Sequence, residues 1–156
     1  MIDVYVIGTS CTPFGKHADR SFADLAQWAY TEAMQDAGLA LSDARLIEQA
    51  WFGNCGMGQW GQGGIRGQVC FTPMVQAGLF PERVPMVNVE GGCATASLAF
   101  HGAWKDILSG QCQVSLALGV EKLISPDRPE RIPEIFGTAV DQLEPQRWQD
   151  YYRLAG

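Results

Sequence analysis

An alternation of short apolar runs with helical stretches limits this fold more than any other feature of the sequence. Val4 to Gly8, Leu46 to Gly53, Pro85-Met86-Val87-Asn88-Val89 and Val114-Ser115-Leu116-Ala117-Leu118 each read as a strand. The first, Val4 to Gly8, is a continuous apolar run ending in Gly, which suits a strand buried on both faces. Helical stretches separate them. Ser21-Phe22-Ala23-Asp24 forms a capping box, Phe22, Leu25, Ala26, Ala29, Ala33 and Ala37 follow at helical spacing, and Gly38 ends the pattern. Gly64 to Gly78 is a second candidate helix, which Thr72-Pro73 is expected to break or kink. Ala94 to Leu108 is the clearest helix, with Ala96, Phe100, Ala103, Trp104, Ile107 and Leu108 on one face and Gly110 after it. Strands that alternate with helices imply parallel pairing through right-handed crossovers, an α/β fold of βαβαβαβ order.

Beyond Lys122 the pattern changes. Ser125 to Pro145 carries four prolines and mixed charge without a sustained period, and Trp148 to Leu154 reads as the start of another helix. The chain has 156 residues, 47% hydrophobic and 18% charged, with a net charge of −6. An acidic chain with no basic stripe is a poor nucleic-acid ligand. No run approaches the ~18 apolar residues of a membrane span. No basic stretch precedes the first strand, so no secretory signal is expected. The low charge suggests that a partner subunit or a further half of the protein covers some apolar surface. Cys11, Cys55, Cys70, Cys93 and Cys112 are odd in number and widely spaced, which disfavours a disulfide framework or zinc site and points to a reducing cytoplasm.

Two segments carry chemistry. Gly56-Met57-Gly58-Gln59-Trp60-Gly61 is a literal G-x-G-x-x-G. A dinucleotide site needs that turn to open directly into a helix, with an acidic residue closing the next strand. In this chain the turn runs on through Gln62-Gly63-Gly64, Trp60 crowds the backbone, and Glu82 lies in a loop. A flexible Gly-rich connection is the better reading. The second segment is Asn88-Val89-Glu90-Gly91-Gly92-Cys93-Ala94-Thr95-Ala96-Ser97. A strand ends, two glycines permit a sharp turn, and Cys93 falls where a helix begins. The free N–H groups of a helix start favour a thiolate and can receive an oxyanion. The geometry follows a nucleophile elbow with sulfur in place of hydroxyl, although a small buried residue at a strand–helix junction fits the same residues.

The stretch Asn-Val-Glu-x-x-Cys-Ala-Thr before a small-residue helix resembles the active-site segment of thiolases, most closely the branch that includes sterol-carrier-protein-x thiolases and related acyl-CoA acyltransferases. Val4-Tyr5-Val6-Ile7-Gly8 with Thr12-Pro13-Phe14-Gly15-Lys16, Glu32 to Leu39, Ile65-Arg66-Gly67-Gln68 and Leu118-Gly119-Val120-Glu121-Lys122 agree in order and spacing. The resemblance covers about residues 2 to 122. It implies a thiolase-type half with a mixed, mostly parallel five-stranded sheet covered by helices. Residues 1–121 would form that N-terminal half-domain and 122–156 the start of a loop or insertion region, with the C-terminal half absent from the chain.

The implied chemistry is ping-pong acyl transfer, with Cys93 taking the acyl group of a 3-oxoacyl-CoA before coenzyme A accepts it, or the reverse Claisen condensation. Coenzyme A or acyl-CoA enters as substrate, with no metal and no permanently bound cofactor. The family's catalytic His and second Cys come from its C-terminal half, and neither motif occurs in this chain. His101 lies about 12 Å along the helix axis from Cys93, too far for a base, and reads as a half-buried helix histidine; His17 sits in a polar loop. Glu90 reads as structural rather than as a base. Ala96 stands where many thiolases have Gly. Trp51, Trp60, Trp104 and Trp148 are candidates for an acyl pocket, with Trp104 placed in the core; Phe71, Met74 and Met86 read as core or interface. Asp127, Arg128, Glu130 and Arg131 read as a solvated loop. Expected partners are a second copy or a C-terminal half, with a small OB-fold protein as a further candidate. A ketoacyl-synthase-like condensing enzyme and a non-catalytic scaffolding half-domain are the alternatives.

Overall fold

The computed structural model describes residues 2–155, and the chain divides into two compact units at Lys122. The larger unit is a three-layer α/β sandwich. Its parallel sheet has the order β2-β1-β3, where β1 is Gln49–Gly53, β2 Met86–Val89 and β3 Ser115–Gly119. Ala50 pairs with Met86 and Leu116, and Phe52 with Asn88 and Leu118, so the three carboxyl ends finish level.

α1 (Phe22–Asp36) and α2 (Arg66–Gln76) cover one face. The expected capping box starts α1: Ser21 Oγ accepts from the Asp24 N–H at 3.1 Å, and the Asp24 carboxylate accepts from the Ser21 N–H at 2.8 Å. Those bonds from Ser21 hold the Asp24 carboxyl below its usual range. Gly38, at φ +69°, ends the helix as expected. The core beneath is aromatic. Tyr30, Phe71, Phe80 and Phe52 meet edge-on or tilted, with Phe71 and Phe80 at 4.7 Å. Met74 and Cys70 fill the remainder. The Tyr30 hydroxyl donates to the Leu79 carbonyl at 3.0 Å, which satisfies the one polar atom in that cluster.

α3 (Thr95–Leu108) covers the other face. It approaches β1 closely because Gly102 lies on the Trp51 indole, whose N–H donates to Asp106 Oδ2 at 2.6 Å. A Cβ at Gly102 would collide with that ring.

Several expectations need correction. Val4 to Gly8 is not a buried strand; it runs without regular structure, and Tyr5, Val6 and Ile7 are exposed. The sheet therefore has three strands among the described residues, not five. Val4 to Ser10 and the outer edge of β3 instead border a cavity of about 330 Å³, floored by Ala29 and Ala33 and roofed by Phe100, Trp104 and Ile107. This explains the second correction: the buried face of α3 is Thr95, Ala99, Gly102 and Ala103, while Phe100 and Trp104 stay exposed over the cavity. Leu46 belongs to a 3₁₀ turn (Leu41–Leu46) ahead of β1 rather than to the strand. Pro73 does not break α2, which continues to Gln76, with the Thr72 hydroxyl donating to the Gln68 carbonyl at 2.7 Å.

The smaller unit, residues 123–156, contains α4 (Arg131–Gly137) and α5 (Pro145–Ala155). α4 arises within the stretch expected as loop, with Pro133 in its first turn, where a missing N–H costs nothing. Arg128 bridges Glu130 at 2.9 Å and Glu134 at 3.2 Å, and these exposed pairs contribute little stability.

Candidate active site

Open parallel sheets place their chemistry at the carboxyl ends of the strands. There β1 leads into Asn54-Cys55, β2 into Glu90-Gly91-Gly92-Cys93, and β3 into Val120-Glu121. The segment after β2 makes the turn read from the sequence. Gly92 takes φ +56°, a conformation open to glycine, and residues 92–94 form a 3₁₀ turn that runs into α3. Cys93 is exposed at its tip.

The amides of this turn are almost all used. The Gly91 N–H donates to Thr95 Oγ1 at 2.9 Å, the Gly92 N–H to Glu90 Oε1 at 2.6 Å, and the Ala94 N–H to the Gly91 carbonyl at 3.1 Å. The Cys93 N–H has no partner among the described residues. One free donor therefore sits beside the sulfur. The Glu90 carboxylate, expected to be structural rather than a base, is engaged by the turn's own backbone.

Around the elbow, polar contacts hold the other two strand ends. Asn54, 1% exposed, donates to the Val120 carbonyl at 2.7 Å and accepts from the Met57 N–H at 2.9 Å. The Glu121 carboxylate accepts from the Cys55 N–H at 2.8 Å and the Gly56 N–H at 3.1 Å. Arg66 donates to the Asn54 carbonyl, and Asn88 Oδ1 accepts from the Gly67 N–H at 2.6 Å. Burial first, and then the Glu90 and Glu121 carboxylates, push the Cys55 thiol up, so Cys55 stays protonated beside the elbow. The residue pattern by itself gives no role to Asn54, Cys55 or Thr95. A polar pair directly after a buried strand was the available signal for the first two.

The glycine-rich segment does not form a nucleotide loop. Gly56–Trp60 is a single 3₁₀ turn, Gly61 follows at φ +93°, and α2 begins only at Arg66. The amides a phosphate would need at its start are taken by Glu121. Trp60 packs edge-on against Phe22 and under the Lys122 ammonium. Of the expected tryptophans in residues 2–122, Trp51 packs under α3, Trp60 meets Phe22, and Trp104 stacks on His101 with ring centroids 5.4 Å apart while bordering the cavity beside β3. His101 is exposed rather than half-buried. His17 Nε2 donates to the Pro13 carbonyl at 2.7 Å, and the ring meets Trp28 edge-on, far along the chain from the elbow. Phe71 and Met74 are core as expected, and Met86 packs partly buried against that core.

The family of the thiolase N-terminal domain matches residues 4–143. The chain belongs to the thiolase family. It is 36% identical over 124 residues to an acetyl-CoA acetyltransferase of Methanocaldococcus jannaschii, covering 79% of this chain and 29% of that protein. A second acetyl-CoA acetyltransferase, from Methanothermobacter thermautotrophicus, is 34% identical over 143 residues, 91% of this chain and 34% of the relative. Sterol carrier protein 2 of Gallus gallus is 31% identical over 122 residues, 77% of this chain and 20% of its own length. The chain thus spans between a fifth and about a third of the curated relatives it matches.

Proposed function

We propose that this thiolase-family chain supplies the nucleophile of a coenzyme-A-dependent acyl transfer, and that Cys93 is that nucleophile. The observation that carries the reading is the exposed Cys93 on a Gly-Gly turn after β2, with its own N–H the open donor of the turn. The Cys93 thiolate adds to the ketone carbon of a 3-oxoacyl-CoA, and the Cys93 N–H receives the oxyanion. Collapse breaks the Cα–Cβ bond and leaves the acyl group on sulfur. The departing acetyl-CoA carbanion takes a proton from an acid outside this chain. A coenzyme A thiolate then attacks the thioester and regenerates Cys93. Run backwards, the steps are a Claisen condensation.

The sharing of labour follows from the family. Residues 1–121 act as the N-terminal half and 122–156 as the start of the following region, while the base His and the second Cys come from a C-terminal half or another chain. In the whole assembly, the apolar cavity between Val4–Ser10 and the outer edge of β3 is where further protein would pack, and its apolar lining supports this. A second copy or a hetero-subunit is the expected partner, a small OB-fold protein a further one, and the compartment a reducing cytoplasm.

The test is mass spectrometry after brief exposure of the chain, with whatever subunits co-purify, to iodoacetamide and to acetyl-CoA near pH 7. Cys93 is expected to label ahead of Cys11, Cys55, Cys70 and Cys112 and to carry the acetyl adduct, and Cys93→Ser to lose it. Absent or indiscriminate labelling would leave a scaffolding half-domain as the reading. A ketoacyl-synthase-like enzyme would give the same adduct but condense a malonyl donor rather than accept coenzyme A.

A further inference from the structure

We propose that Thr95 is a positioning residue for acyl transfer: its hydroxyl clamps the elbow so that the Cys93 N–H stays aimed at the oxyanion. The inference rests on the reading of Cys93 as the nucleophile.

Thr95 is 6% exposed, although Ala94, Ala96 and Ser97 around it are open to solvent. Its Oγ1 makes two hydrogen bonds, accepting from the Gly91 N–H at 2.9 Å and donating to the Gly92 carbonyl at 2.7 Å. Those two atoms lie on either side of the Gly92 φ and ψ torsions. Glycine at φ +56° carries no steric preference for that sign, so without a tie the turn would sample other conformations. Each swing would redirect the next amide, which is that of Cys93. The clamp acts at the one place where the backbone is least able to hold itself.

The hydroxyl is itself held in place. A Cβ at Gly53, the last residue of β1, would stand 3.0 Å from Thr95 Cγ2, so the methyl packs directly on the strand end. Strand, methyl, hydroxyl and turn form a continuous chain of contacts. Glu90 removes the Gly92 N–H from competition and Ala94 bonds back to Gly91, leaving the Cys93 amide as the open donor. A valine would keep the methyl packing and lose the clamp. A serine would keep the clamp and lose the methyl.

The experiment uses two reactions of Cys93 that differ in their need for an oxyanion. Acetylation by acetyl-CoA adds sulfur to the thioester carbon, forms a tetrahedral oxyanion, then breaks the carbon–sulfur bond to release coenzyme A as its thiolate. Alkylation by iodoacetamide is a displacement at saturated carbon, with iodide leaving and no oxyanion. Both rates are read by mass spectrometry on the full chain with its co-purifying subunits. Thr95→Val is expected to slow acetylation by about tenfold or more, below the ~10²–10³ loss from outright removal of a donor, while alkylation stays near its wild-type rate. Thr95→Ser is expected to restore the wild-type ratio of the two.

Equal slowing of both reactions, or of neither, in a folded Thr95→Val protein would overturn the clamp and leave Thr95 as packing. Should circular dichroism show Thr95→Val unfolded, Thr95→Ala carries the same comparison: a lowered acetylation-to-alkylation ratio supports the clamp, and a wild-type ratio overturns it. If the unaltered chain takes no acetyl group and Cys93 alkylates no faster than exposed Cys11, the nucleophile reading falls and the role of Thr95 falls with it.

Discussion

The side of the sheet under α3 leaves large apolar side chains exposed at the β3 edge, whereas the face under α1 and α2 is closely packed with large side chains. Tyr30, Phe52, Phe71, Phe80 and Met74 interlock there with relative exposures of at most 4%. Across the sheet, α3 meets β1 through small residues and one tryptophan, while Tyr5, Val6, Ile7, Phe100 and Trp104 remain open around the cavity beside β3. The difference teaches where stability and function are separated. The sealed face carries the fold of this chain, and the open edge and the elbow leave large apolar side chains and Cys93 exposed.

Four measurements would break or sharpen that contrast. The largest effect is expected from Phe71→Ala, which empties the centre of the aromatic cluster and should cost about 3–5 kcal/mol in denaturant unfolding. A cost near that of a surface change would show that the core is not sealed. Alkali should act on the same face. Burial pushes the Tyr30 hydroxyl and the Cys70 thiol up to about 12 each. An unfolded chain loses these protons near the ordinary values of 10.0 and 9.0, so stability holds below pH 9 and falls as pH rises towards 12. Tyr30→Phe together with Cys70→Ala should flatten that alkaline decline in a pH series of thermal melts.

A smaller loss is expected on the α3 face. Asp106→Ala leaves the Trp51 indole N–H without its acceptor and should cost about 1–2 kcal/mol, read by urea unfolding. The smallest effect belongs to the open edge. Phe100→Ser should change the stability of this chain by less than about 0.5 kcal/mol, since its side chain is already largely exposed. A large loss there would mean that the cavity wall is packed in solution.

The two faces also differ in how legible they were. The capping box at Ser21, the glycine stop at Gly38, the strands at Met86–Val89 and Ser115–Gly119, and α3 were readable because local chemistry and period specify them. The first apolar run was misread for a reason that the cavity makes plain. Val4 to Ile7 has strand composition, yet a strand exists only through hydrogen bonds to a neighbour, and none joins this segment to β3 among the described residues. The buried side of α3 was misjudged likewise. Period alone places Phe100 and Trp104 inward, whereas the close approach of Gly102 to Trp51 turns the small residues to the sheet.

At the elbow, residue types and order determined that a strand would end, that Gly91-Gly92 would permit a sharp turn and that Cys93 would stand at a helix start. Those are local consequences of backbone freedom and helix geometry. Only the tertiary structure decided which amides remain open. That depends on the Thr95 hydroxyl, buried by the end of β1, and on Glu90 and Glu121 reaching to backbone N–H groups of their own and a neighbouring loop. Thr95 and Glu90 are near neighbours of the amides they take, but the methyl of Thr95 is seated by Gly53 on β1, and Glu121 reaches the Cys55 N–H from 66 residues away; such partners are brought together by packing alone.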